Sequence, residues 1–233
     1  MKHVSQETKL RQKRGTGEGA KYIPWTFASE FNSMGTCSSF TDWKHHRPIQ
    51  LLSIAELILY VKHRFEDETV DIREQFPILD IAATEKIAEE QGAKHPQFAG
   101  KNVIMTTDLL ITKADGTYLA ISCKSDREEL KKPSSRRMKE KLRIEKTYWK
   151  SRKDKKVDWK LEFPTEEDKI VTRNIMNAVL YYEKNTVTDD VSLLKHLVAT
   201  KKIKIDLTKP VMWVMLAKEM RENGDLPDLS EYT

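Results

Sequence analysis

Cysteine is almost missing from this sequence: two residues in 233, Cys37 and Cys123. That excludes a disulfide framework and a cysteine-built zinc site, and it suits reduced thiols in a cytoplasmic protein. Long apolar runs are missing too. No stretch approaches the roughly 18 residues that span a bilayer. The basic N-terminus, MKHVSQETKLRQKRG, has no apolar segment of the kind a secretory signal carries. No Walker motif, dinucleotide fingerprint or Ser/His/Asp order occurs, and His45, His46, His63 and His95 with Cys37 match no zinc spacing. With repeats and low-complexity tracts also absent, what is left is a globular chain long enough for one large domain or a medium one plus a small one.

Charge is abundant and unevenly placed. The net charge is +5, but residues 124–160 carry sixteen Lys and Arg against seven Asp and Glu, while residues 50–100 carry five against ten. A basic face beside an acidic segment suits a nuclease, because cations hold the phosphate backbone and carboxylates hold metal. A solvated surface helix has the same composition, so charge alone leaves both readings open.

Residues 1–21 read as a polar, basic arm. Apolar order begins at Tyr22, Ile23, Pro24 and Trp25. Ser53 and Glu56 form a capping-box pattern for a helix from Ser53 to about Arg64. Its apolar residues Ile54, Leu57, Ile58, Val61 and Phe65 share a face, with Leu59, Tyr60 and His63 opposite, which predicts cover on both sides. Val70 to Phe76 alternates and reads as a strand ended by Pro77. A short helix over about Thr84 to Gln91 and a loop with Lys94, His95 and Gly100 follow. Val103–Ile111 and Thr117–Lys124 form a hairpin, then a basic helix from about Arg136 to Arg152 and a strand from Val157 to Phe163. Together these make a mixed α/β domain over residues 22–164. Residues 165–233 read as helix, helix, a short strand at Ile203–Leu207 and a helix from Pro210, a pattern compatible with a small winged-helix-like domain.

The hairpin carries the chemistry. A three-residue turn on Ala114-Asp115-Gly116, with glycine where positive φ is wanted, pairs Lys113 with Thr117 and puts Asp108 opposite Ser122. Lys124 then lies diagonally on the same face, while Leu109, Ile111, Leu119 and Ile121 point to the core on the other. An Asp on one strand, with a polar residue, a spacer and Lys on the next, is the PD-(D/E)xK pattern of metal-dependent phosphodiester cleavage. In it a lysine orients water or stabilises charge at phosphorus. Glu56 caps its helix, adds a carboxylate to the site, or does both in part. Arg73 and Glu74 read as an ion pair, with phosphate contact by Arg73 the alternative. Tyr148-Trp149 suits core or base stacking.

LLSIAEL (51–57), VDIREQFPIL (70–79), AKHPQFAG (93–100), TTDLLI (106–111) and AISCK (120–124) resemble, in order and wording, the TnsA family of endonuclease subunits of heteromeric bacterial transposases. YIPW (22–25) and the segment Glu145…Tyr148-Trp149 agree. The resemblance implies a restriction-endonuclease-like mixed sheet flanked by helices. It also implies a catalytic set of Glu56, Asp108 and Lys124, and a Mg²⁺ site (Mn²⁺ as substitute) held by Glu56, Asp108, the Cys123 carbonyl and Ser122. Ser122 departs from the family's usual Gln and reaches less far. DNA contact would fall to Lys13, Arg14, Arg73, Lys94, His95, Arg136 and Arg137.

By the same resemblance the function is 5′-strand cleavage at transposon ends on double-stranded DNA. The implied partners are a TnsB-type DDE transposase and a TnsC-type AAA+ regulator, with no membrane. Two rivals stand beside it: a stand-alone restriction or repair nuclease of this fold, and a degenerate assembly subunit.

Overall fold

The computed structural model describes residues 4–30, 38–152 and 156–232, so Cys37 lies outside the described residues. The chain divides into two compact units, residues 1–164 and 165–233.

The first unit is built on a four-stranded mixed sheet. Its strands are β3 (Thr69–Ile78), β6 (Met105–Lys113), β7 (Tyr118–Cys123) and β8 (Val157–Glu162), in the order β3-β6-β7-β8. β3, β6 and β7 run antiparallel, whereas β8 pairs parallel with β7 after the crossover through α4 (Arg136–Ser151). The other pieces are α1 (Gln6–Arg11), a β1–β2 ribbon (Ser38–Thr41, Pro48–Leu51), α2 (Ile54–Phe65), α3 (Ile81–Glu90) and a β4–β5 hairpin (Gln97–Phe98, Lys101–Asn102). α2 and β2 cover one face of the sheet, with Leu59, Tyr60, Ile72, Leu109, Ile111 and Ile121 in the core between them. α3 and α4 cover the other through Ile78, Ile87, Leu110, Ala120, Ile144 and Trp149. The mixed α/β architecture expected from the sequence is the one observed.

α2 begins where its cap puts it, with Ser53 Oγ accepting from the Glu56 amide, and Leu59, Tyr60 and His63 on its second side are buried as expected. α3 begins three residues earlier than its pattern suggests because the Asp80 side chain caps it through the Ala83 amide. β3 runs past Pro77, which pairs with Thr106. Proline is tolerated there because β3 lies at the edge of the sheet, where its missing N–H breaks no ladder.

β3 departs from a regular strand in one respect. Ile72 belongs to the core on the α2 side, yet Phe76 and Ile78 pack on the α4 side. In a regular strand these positions would share a face. The inversion falls at Gln75, whose φ is 48°, a left-handed conformation that costs a non-glycine residue about 1–2 kcal/mol. β6 inverts at the same level: Leu109 and Ile111 face α2, while Thr107 accepts a hydrogen bond from Trp149 Nε1 on α4 at 2.7 Å. Pairing keeps one register across the inversion, Glu74 with Leu109 and Phe76 with Thr107, so Gln75 lies level with Asp108.

The N-terminal segment differs from the polar arm expected. Residues 6–11 are helical, and Arg14 is only 5% exposed. Its guanidinium bonds Glu30 and the Trp25 carbonyl and stacks on Phe27 at 4.3 Å. Composition shows a basic residue there but not the acceptors, which arrive from further along the chain.

The second unit holds α5 (Glu166–Val179), α6 (Asp190–Ala199) and α7 (Trp213–Glu222) around a core of Leu193, Leu194, Leu197, Val198 and Ala217. Its starts follow the sequence: capping boxes at Thr165/Asp168 and Asp189/Ser192 open α5 and α6. The strand expected at 203–207 does not form. Ile203, Ile205 and Leu207 alternate but pack irregularly on the helical core, because no second strand among the described residues offers them a ladder.

His63 ties α2 to β8. Its Nε2 lies 2.9 Å from Glu162 and its Nδ1 3.0 Å from Glu66. Burial pulls its pKa down, but the hydrogen bonds and charges of Glu162 and Glu66 outweigh that and take it to about 9. An unfolded imidazole loses its proton near 6.5. The stabilisation is therefore complete below that pH and disappears as pH rises through 9. His63→Gln is expected to lower the urea-unfolding free energy at pH 6 by on the order of 2 kcal/mol. The gap from wild type should close by about pH 9.5.

Candidate active site

The hairpin takes the register its turn demands. The Lys113 amide donates to the Thr117 carbonyl at 2.9 Å, and Leu109 pairs with Ile121. One step further along that register Asp108 faces Ser122. Asp108 Oδ2 accepts the Cys123 amide at 2.7 Å and lies 3.6 Å from Lys124 Nζ. The Lys124 ammonium in turn donates to the Cys123 carbonyl at 2.6 Å, and the Lys124 amide donates to the Glu162 carbonyl of β8. Asp108, the Cys123 carbonyl and Lys124 thus form one contact cluster, with both charged side chains partly exposed.

Glu56 approaches from the first turn of α2. Its carboxylate accepts from the Leu52 amide at 2.9 Å, Ser53 Oγ at 2.9 Å and Gln75 Nε2 at 3.0 Å. The same carboxylate that orders the helix start also feels the charges of Asp108 and Lys124. Burial, then the charge of Asp108, raises its pKa to about 7 despite those donors and Lys124. Three neutral donors position a carboxylate without cancelling its charge.

A second acid closes on Asp108 from the opposite layer. Glu145 on α4 is 2% exposed, and burial followed by the charge of Asp108 takes its pKa to about 7. The hydroxyls of Ser122 and Thr107 lie beside its carboxyl and offset part of that rise. No motif in the sequence marks Glu145 as part of the site. The available signal is an acid on the buried seam of Leu142, Tyr148 and Trp149. The inversion of β3 and β6 is what lets carboxylates from both layers approach one aspartate.

Asp108, Ser122, Lys124 and Glu145 line a cleft of about 480 Å³ whose wall also includes Arg137 and Lys141. Its donors are hard oxygens: carboxylates, a hydroxyl and a peptide carbonyl. That set suits a divalent cation such as Mg²⁺ better than a soft metal. Among the described residues no three His, Cys, Asp or Glu side chains gather into a metal-binding group. A cation here would rely on the Cys123 carbonyl and water beside the acids.

The candidate DNA-contacting residues fall into two groups. Lys13, Lys94, Arg136 and Arg137 are exposed. Arg137 borders the cleft and donates to the Lys94 carbonyl at 2.9 Å, which brings the 94–96 loop against α4. Arg14, Arg73 and His95 are buried and engaged. Arg73 lies over the Phe76 and Tyr118 rings, and His95 bonds Thr84 Oγ1 and the Pro96 carbonyl. Glu74 pairs with Arg47, at 2.6 and 2.8 Å, rather than with Arg73. Tyr148 and Trp149 are core residues.

Residues 66–162 match the family model described as "TnsA-like endonuclease N terminal", a span that includes Asp108, Ser122, Cys123, Lys124 and Glu145. Over 171 residues the chain is 33% identical to the transposon Tn7 transposition protein TnsA of Escherichia coli, which covers 72% of this chain and 59% of that protein. The chain thus spans about three fifths of the relative's length.

Glu145 offers a direct check on the electrostatics. A carboxyl whose folded pKa is raised favours folding below its unfolded value and loses that contribution as pH rises through about 7. Glu145→Gln is expected to unfold at higher urea than wild type at pH 8, by roughly 1–2 kcal/mol, with no advantage left at pH 4.5.

Proposed function

With residues 66–162 matching the TnsA-like endonuclease family model, we propose that the chain is a member of that family, a divalent-metal-dependent DNA endonuclease cutting the 5′ strand at each transposon end within a cut-and-paste transposase. One observation carries the reading: Asp108, the Cys123 carbonyl and Lys124 meet at the mouth of a cleft bordered by a basic helix.

In this reading Glu56, Asp108 and the Cys123 carbonyl hold the cation, with Ser122 and Glu145 beside them. Mg²⁺, or Mn²⁺ in its place, would supply Lewis acidity to phosphodiester hydrolysis. Lys124 stabilises the charge that develops on the phosphoryl oxygens, since its ammonium is already held at the cluster and remains partly exposed. Exposed Lys94, Arg136 and Arg137 hold the DNA backbone near the cleft, Lys13 adds a further cation, and Arg14, Arg73 and His95 brace the elements behind them. The partners are a TnsB-type transposase that cuts the other strand and a TnsC-type AAA+ regulator. None of the described helices is long and apolar enough to cross a membrane. The presence of all three charged groups favours an active nuclease over a degenerate subunit, and Ser122 is the one feature on the other side.

The test is cleavage of supercoiled DNA bearing transposon ends in Mg²⁺, with and without the TnsB- and TnsC-type partners. Asp108→Ala is expected to abolish 5′ cutting and Lys124→Ala to slow it by roughly 10²–10³-fold, while the partner's 3′ cutting persists. Asp108-dependent cutting without partners would instead mark a stand-alone nuclease. Intact 5′ strands with the wild-type protein and its partners would mark an assembly subunit.

A further inference from the structure

Gln75 takes no part in the chemistry above, yet three observations single it out. It is a non-glycine residue with φ 48° inside a paired strand. It is 3% exposed. Its amide nitrogen donates to Glu56 Oε2 at 3.0 Å, and its level in the sheet is that of Asp108.

The backbone conformation and the hydrogen bond explain one another. In a continuous extended strand, side chain 75 would point with that of Arg73, whose guanidinium lies over Phe76 and Tyr118 on the α4 side. Glu56 sits on α2, on the other side. The left-handed backbone turns the side chain across the sheet to reach it, and the Gln75 carbonyl is held there by the Trp25 amide at 3.3 Å. Strain kept in place by its surroundings is characteristic of functional positions.

The choice of donor is equally specific. Glu74, one residue earlier, is fully buried and matched by the charge of Arg47. Glu56 receives only neutral donors at the same depth. A guanidinium would fix the carboxylate and also cancel it, and so compete with a cation for it. An amide fixes it and leaves its charge available.

We propose that Gln75 is a positioning residue of the cleavage site, holding the Glu56 carboxylate in place for the divalent cation. This rests on the nuclease reading of that site. The experiment measures Mn²⁺ binding to the full chain by calorimetry without DNA, alongside thermal unfolding. Gln75→Gly accepts the left-handed backbone freely and removes only the side chain. Gln75→Met keeps the side-chain volume and removes the donor. Both are expected to unfold within a few degrees of wild type and to bind Mn²⁺ at least about tenfold more weakly. In the reconstituted cleavage assay raised Mn²⁺ should restore most of the lost rate, which a packing defect would not allow. Mn²⁺ affinity within about twofold of wild type in both variants, with affinity lost in Asp108→Ala, would overturn the role of Gln75 and leave the metal site standing. Wild-type binding no stronger than that of Asp108→Ala would overturn the nuclease reading and this inference together.

Discussion

The first unit depends on how β3 buries charge. Asp71, Arg73 and Glu74 are all under 10% exposed, and a buried charge without a partner costs several kcal/mol. Each is therefore answered from a different part of the chain. Asp71 accepts the Gly19 amide and lies 3.4 Å from His45. Arg73 rests on two aromatic rings and donates to Thr112. Glu74 takes a two-pronged bond from Arg47 and also the Gln50 amide. The string DIREQFP is a set of sockets for the N-terminal segment, the β1–β2 ribbon, α2 and the sheet. Its unusual wording follows from that, since each position must satisfy a different neighbour.

The same strand sets the geometry of the cleft. A sheet that kept its alternation would present the acid of α2 and the acid of α4 to opposite faces. The change of side at Gln75 and Asp108 removes that separation. Glu56 and Glu145 both respond to the charge of Asp108 although they belong to different layers. The charge of Asp108 that both acids feel is itself moderated by Lys124 at 3.6 Å.

Much of this was legible in the sequence because it rests on local rules. The turn residues Ala114-Asp115-Gly116 set the hairpin register, and the register brings Asp108 and Lys124 together. Ser53 and Glu56 mark the start of α2, and periodicity marks its buried sides. What escaped depends on distant partners. Arg14 looks like a mobile cation until Glu30 and the Trp25 carbonyl surround it. His95 looks like a cleft residue until Thr84 claims its ring. The left-handed Gln75 leaves no trace in composition, since glycine or asparagine would have flagged it. At 203–207 alternation was present but a partner strand was not, and a strand needs both.

Glu162, at the end of β8, joins two of these parts. Its backbone carbonyl receives the Lys124 amide, and its carboxylate receives His63, two turns along α2 from Glu56. α2 is thus pinned at both ends, to β3 through Gln75 at its start and to β8 through His63 near its finish. Two ties off the helix axis, together with the core packed beneath, fix both the position of α2 along the sheet and its rotation, so the direction in which Glu56 points is set as much from β8 as from β3.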